Sequence, residues 1–141
     1  MKTDIQPILR QVTRWAAGRD DVAAVALVGS WARDAAKPDS DIDLILLTPA
    51  PAAFRPPAWL AEIEWPSRPV RWQDEEYGIV WSRRIWLADG MEIEFGFGPL
   101  SWAQTNPLDA GTEQVIRDGC RILFDPQGIL TRLVAFISQG G

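Results

Sequence analysis

Two almost uninterrupted apolar runs constrain this chain more than any other feature. Residues 22–28 read VAAVALV and residues 41–48 read DIDLILLT. Runs of that length without polar alternation are strands buried on both faces. A strand buried on both faces needs cover on both, so helices are expected to pack on the sheet that these strands begin. The flanks agree: Asp20-Asp21 precedes the first run, Gly29-Ser30 turns the chain out of it, and Pro38-Asp39-Ser40 marks a turn before the second.

The remaining segments supply that cover and extend the sheet. Ile5, Ile8, Leu9, Val12, Trp15 and Ala16 recur at helical spacing behind a Thr3 or Asp4 cap, giving an amphipathic helix over about 4–17 that Gly18 ends. Residues 31–36 read as a short helix. From 49 to 68, Pro49, Pro51, Pro56, Pro57 and Pro66 break regular structure, with Pro69 just beyond. A surface excursion is expected there, with at most a short helix near 59–63. Three strand-like runs follow near 69–76, 79–88 and 91–98, the last two joined by the hairpin dipeptide Asp89-Gly90. Residues 110–118 read as a helix, 121–124 as a short strand and 127–138 as a terminal amphipathic helix. The fold class is therefore α/β (α+β), a mixed β-sheet with helices packed on it. With 141 residues, one domain over 1–141 is expected.

Composition narrows the chemistry. The chain has no histidine, which removes Ser-His-Asp and Cys-His catalysis, histidine-ligated metals and an imidazole base. The single cysteine, Cys120, excludes an internal disulfide framework and a structural zinc site, and its apolar surroundings point to inert packing. Carboxylates are the only plentiful ligands, so a hard cation such as Mg²⁺ is the natural metal. A net charge of −5 from 19 acidic and 14 basic residues speaks against nucleic-acid binding through a basic face. The stretch MKTDIQPILRQ has no apolar signal core, and no run approaches the roughly 20 apolar residues that span a bilayer. A soluble, cytoplasmic protein with no membrane partner is expected.

The chemistry-bearing segment joins the two buried strands. Gly29 lacks a Cβ, so its backbone can turn sharply and let a phosphate approach. Ser30 can offer an amide and a hydroxyl to that phosphate, and Arg33, one turn later, can add positive charge or fix the loop. Ten residues separate Ser30 from Asp41, where the second strand opens with Asp41-Ile42-Asp43. Two carboxylates two apart on a strand leave the same face. Beside a phosphate-binding turn, they can hold divalent ions that bridge triphosphate oxygens. The run Met91-Glu92-Ile93-Glu94-Phe95-Gly96 offers a third acid. Glu94 is favoured over Glu92, which lies nearer the hairpin end, and it could also accept the proton of an attacking hydroxyl.

This pattern resembles the DNA polymerase β-like nucleotidyltransferase superfamily. It is similar in particular to the small bacterial members: minimal nucleotidyltransferases and the catalytic domains of aminoglycoside and lincosamide adenylyltransferases. The match is specific over about 22–48 and extends to about 98. The resemblance implies a palm-like sheet and an NTP donor, ATP foremost. It further implies phosphate contacts from Gly29 and Ser30, and Mg²⁺ on Asp41, Asp43 and Glu94. Two departures stand out: the third acid is Glu where many relatives have Asp, and these 141 residues are expected to lack the helical second domain that completes an acceptor pocket in the larger antibiotic-modifying relatives.

Plainer readings compete at each position. Gly29-Ser30 could be only a turn, and Glu92 and Glu94 an exposed hairpin face paired with Arg83 or Arg84. Asp43 resists such a reading, because an aspartate inside an apolar run is costly unless it meets a polar cleft or a metal. Trp15, Trp72, Trp81 and Trp86 fall in core-like patterns, leaving Trp31 and Trp102 as the exceptions. The expected function is transfer of a nucleoside monophosphate, AMP first, to a hydroxyl of a small-molecule or protein acceptor that the sequence does not identify. The alternative is an antitoxin-like module that binds a helical partner protein; a homodimer is a further option.

Overall fold

The two apolar runs form neighbouring strands. In the computed structural model, which describes residues 4–140, β1 (Ala24–Val28) and β2 (Ile42–Leu47) pair antiparallel with Val28 opposite Asp43. A meander of β3 (Pro69–Tyr77), β4 (Val80–Leu87) and β5 (Glu92–Gly98) follows, and β6 (Cys120–Phe124) completes the sheet. The strand order is β3-β4-β5-β2-β1-β6. Among these strands β2 and β5 run parallel and the other pairs antiparallel, so the sheet is mixed as expected.

Each face of the sheet buries its own core. Val25 and Leu27 of β1, Leu44 and Leu46 of β2, Ile93, Phe95 and Phe97 of β5 and Trp81 and Ile85 of β4 face one way. They meet Ile8, Leu9, Val12 and Trp15 of α1 (Gln6–Ala17). On the opposite face Ala24, Ala26, Val28, Ile45 and Leu47 meet Ile116 of α2 (Ala110–Asp118) and Leu130, Leu133 and Ile137 of α3 (Ile129–Ser138). The apolar runs of β1 and β2 thus reflect cover on both sides. On β3 the burial stops, and its residues from Val70 onward are exposed. No helix among the described residues is long and apolar enough to cross a membrane.

The proline-rich stretch departs from expectation. It folds as two short 3₁₀ helices, Pro51–Phe54 and Pro57–Glu62, and Phe54, Trp59, Leu60 and Ile63 are buried. This is a core wall, not a surface excursion. Prolines suit the first turns of such helices because their missing N–H would be unpaired there. Indole donors then pin the stretch: Trp59 Nε1 donates to Phe54 O and Trp81 Nε1 to Pro51 O, both at 2.8 Å. Phe54 stacks on Phe97 at 5.1 Å between centroids, and Trp59 meets Phe95 edge-on at 5.3 Å.

Three smaller corrections follow. Residues 31–36 form a turn instead of a helix: Ala32 N donates to Gly29 O and Ala35 N to Ser30 O, and Asp34 adopts φ 57°, which a right-handed helix cannot continue through. Trp72 is 45% exposed on β3 and is not core. Thr3 lies outside the described residues, and α1 starts at Gln6 behind Ile5 with no side-chain cap at that position, Asp4 only accepting a hydrogen bond from Gln6 N at 3.0 Å.

Candidate functional site

Side-chain alternation decides where the acids go. On β2, Ile42, Leu44 and Leu46 point into the α1 core, so Asp43 leaves with Ile45 and Leu47 toward the opposite face. Parallel pairing sets Asp43 beside Glu94 of β5, and the antiparallel β4/β5 pair sets Arg84 beside Glu94 and Trp86 beside Glu92. Helices α2 and α3 cover this face over β1 and β2, while Arg84 and Trp86 of β4 and Glu92 and Glu94 of β5 stay half-buried beyond them. The acids stand at that border.

Charge crowding at Asp43 is visible in its acidity. Its pKa is raised to about 6, chiefly by burial and then by the negative charges of Glu94 and Asp41, with Arg84 opposing. Arg84 is the positive centre of the cluster. Its Nη1 donates to Asp41 Oδ2 and, at 3.2 Å, to Glu92 Oε2. Its Nη2 lies 3.4 Å from Glu94 Oε2, while the buried Ser82 hydroxyl donates to Glu94 Oε1 at 3.1 Å. Trp86 Nε1 holds the other oxygen of Glu92 at 2.8 Å.

The Gly-Ser turn packs directly on this cluster. Gly29 has φ 75°, and a Cβ built on it would lie 2.5 Å from Asp43 Oδ2. Only glycine permits both the left-handed backbone and that approach. The turn is anchored from several sides: Trp31 Nε1 donates to Ser40 O at 3.0 Å, and Arg121 Nη2 of β6 donates to Trp31 O at 2.8 Å. Trp31 therefore ties the turn to the start of β2.

Beside the acids a cavity of about 680 Å³ opens between the sheet and α2. Asp43, Glu94, Ser82, Gly29 and the exposed Arg33 are among its polar lining, joined by Asp109, Thr112 and Asp118 from the α2 side, and Ile45, Val80, Trp102 and Val115 are among its apolar lining. Gly96 forms part of the floor: a Cβ there would stand 3.2 Å from Ile45 Cδ1, so the strand leaves a shallow seat in its middle. Cys120 packs against the α2/α3 core, and burial pushes its thiol up to about 11, which keeps it protonated and inert.

The structure thus brings together Gly29, Asp43, Glu94 and Arg33 around one cavity, with Asp41 joined to the group through Arg84. Ser30 follows Gly29 in the same turn but does not line the cavity. Glu92 and Glu94 both belong to the cluster, so the plainer pairing with Arg84 holds as well. Arg83 is not part of it: it is buried on the other face and grips Asp74 at 2.7 and 2.9 Å. The role of Arg84 between three acids was missed from sequence. The Asp89-Gly90 dipeptide read as a two-residue turn would set Ile85 opposite Glu94; the connection is one residue longer, with Leu87 N donating to Met91 O, and that offset brings Arg84 opposite Glu94.

Asp41, Asp43 and Glu94 offer only oxygen donors, the kind a hard divalent cation takes. Among the described residues no three acids converge as a ready-made metal cage. Arg84 stands among them as a resident positive charge, the sign of ion that this cluster of carboxylates attracts.

Known proteins place this arrangement. The family model for the nucleotidyltransferase domain matches residues 8–87, more than half of the 141 residues. The matched span holds Gly29, Ser30, Asp41, Asp43 and Arg84 and stops short of Glu92 and Glu94. A crystal structure of a nucleotidyltransferase-like protein from Exiguobacterium sibiricum 255-15 is similar at TM-score 0.46 and 16% identity, over 93% of this chain and 38% of that one. This chain therefore spans well under half the length of that protein. No curated protein matches the sequence. With the Gly-Ser turn and both aspartates inside the matched span, between and at the start of the strands of one mixed sheet, the chain belongs to the polymerase β-like nucleotidyltransferase family.

Proposed function

We propose that this protein is a Mg²⁺-dependent nucleotidyltransferase that moves a nucleoside monophosphate, AMP from ATP foremost, onto a hydroxyl of a small-molecule or protein acceptor. One observation carries the reading: Asp43 and Glu94 stand in register on adjacent parallel strands at the mouth of a cavity, with Gly29 of the Gly-Ser turn against Asp43. Asp41, Asp43 and Glu94 would hold the metal, which when bound supplies charge neutralisation for a triphosphate.

The chain's own groups account for the other parts of the reaction. Gly29 lines the cavity and would present its backbone to the phosphates, Ser30 would reach them from the same turn just outside the lining, and Arg33 adds a positive charge to the lining. The acceptor oxygen attacks the α-phosphorus, the bond from that phosphorus to the bridging oxygen breaks, and pyrophosphate leaves. Glu94, oriented by the Ser82 hydroxyl, takes the proton of the attacking hydroxyl. The apolar lining residues Trp102, Val115 and Ile45 would meet an apolar portion of nucleotide or acceptor.

The test is transfer of label from α-labelled NTPs into a cell extract with Mg²⁺. Wild-type protein should label an acceptor, and Asp41→Asn or Asp43→Asn should lower the rate by at least about a hundred-fold. Undiminished turnover in both variants would overturn the reading. A second reading, a module that binds a helical partner or a second copy, draws on the exposed Val70, Trp72, Tyr77 and Ile79 along and beside the β3 edge. Stable co-purification of another chain, with no label transferred, would favour it.

A further inference from the structure

Arg84 occupies an unusual place for a residue outside the phosphate turn. Four carboxylates, Asp41, Asp43, Glu92 and Glu94, cluster on this face, Asp43 and Glu94 lining the cavity, and the guanidinium of Arg84 contacts Asp41, Glu92 and Glu94. Both oxygens of Glu94 are engaged by β4 side chains, one by Ser82 and one by Arg84. Oδ2 of Asp41 is engaged by Arg84 as well. Two of the three acids proposed to hold the metal are therefore tied to a cation that belongs to the protein, while Asp43, against Gly29, has no such bond.

A guanidinium stays charged at any working pH, so these carboxylates are freed by movement of Arg84 and not by its deprotonation. An oxygen lone pair given to an N–H group is not available to a metal ion. With four acids against one guanidinium, the cluster remains negative and still attracts a divalent cation. Arg84 is 26% exposed at its side chain, so it has solvent to move into. Asp41 precedes β2 and lies outside the strand ladder, which gives its side chain the freedom to turn.

Resting on the metal-dependent reading above, the geometry points to Arg84 as a positioning residue: a built-in stand-in cation that holds Asp41 and Glu94 in place and must release Asp41 before a divalent ion is bound. It makes the site pre-shaped but closed to metal alone, so that metal and nucleotide load together. A merely structural arginine would give the opposite effect on removal, since slack carboxylates bind metal less well.

Mn²⁺ binding, followed by electron paramagnetic resonance of the free ion, separates the two without any turnover. Arg84→Gln is expected to bind Mn²⁺ about ten-fold more tightly than wild type in the absence of nucleotide, the size expected for removing one partly exposed competing charge. Arg84→Lys keeps the charge but reaches fewer of the three acids, so its affinity should fall between the two. It also serves if Arg84→Gln does not fold. Parent-like or weaker binding in either folded variant overturns the proposal. Asp43→Asn and wild type with ATP are the controls: Mn²⁺ binding to wild type with ATP that Asp43→Asn abolishes keeps the metal reading intact even where Arg84 fails. No Asp43-dependent binding in any of these proteins would overturn both.

Discussion

Asp43 concentrates the charge of the site in one side chain, and its stability effect has a definite sign. In the folded protein its pKa stands at about 6 against an ordinary 3.8, because burial and the charges of Glu94 and Asp41 disfavour the carboxylate. A raised carboxyl pKa favours folding fully below the unfolded value and loses that contribution as pH rises through the folded value. Metal-free protein should therefore lose stability on this account between about pH 4 and pH 6. Solvent reaches part of the group, which limits the effect to about 1–2 kcal/mol. Asp43→Asn should be more stable than wild type by that amount at pH 7.5 in EDTA, with nearly all of the advantage gone at pH 3.5, below the ordinary value of 3.8. Urea titrations of both proteins at the two pH values measure it; an equal difference at both would show that the charge of Asp43 is not what destabilises the site.

At the scale of elements, the proline-rich stretch is the part whose importance the structure changes most. Phe54 and Trp59 seal the α1 side of the sheet against Phe95 and Phe97, and the Trp59 indole holds Phe54 O. Trp59→Ala should therefore cost about 3–5 kcal/mol, the range of large aromatic truncations in a core, whereas a surface excursion would lose under about 0.5 kcal/mol. Chemical denaturation with an unchanged m-value would check it. The sequence could not show this wall because 3₁₀ turns carry no 3.6-residue period and prolines read as surface punctuation. Long elements were legible for the converse reason. The periodicity of α1, the unbroken runs of β1 and β2 and the Asp89-Gly90 hairpin located their elements to within a residue or two. The same holds for the site. Asp41 and Asp43 declare themselves by their Asp-x-Asp spacing at the start of an apolar run, although Asp41 falls just before β2, while the partnership of Asp43 with Glu94 depends on β5 pairing parallel to β2, a choice made by the whole sheet. Short polar turns lie between these limits: residues 31–36 have helix-compatible side chains, yet Asp34 in the left-handed region ends the turn.

For the whole molecule, the cavity matters because two separately packed layers form its walls. The sheet contributes Asp43, Glu94, Gly96 and Val80, and the α2 layer contributes Thr112, Val115 and Asp118. A ligand seated there ties the layers together and adds its binding free energy to the stability of the fold. The chain carries a net charge of −5 and sets acids at the cavity's mouth, so a metal-free triphosphate meets repulsion that Arg33 alone offsets poorly. Mg²⁺ and nucleotide should therefore stabilise the protein jointly. At a hundred times its dissociation constant, the Mg²⁺ complex of the preferred NTP should add about 2.7 kcal/mol, a rise in Tm of roughly 8–10 °C for a chain of this size. The same nucleotide in EDTA, or Mg²⁺ alone, should move Tm by only about 1–2 °C. Thermal melts with each of the four NTPs would also rank the bases, because the apolar lining residues Ile45, Val80, Trp102 and Val115 offer contact to more than phosphates. An equal shift by nucleotide with and without Mg²⁺ would mean that the acids do not hold the metal and that anion binding rests on the turn and Arg33.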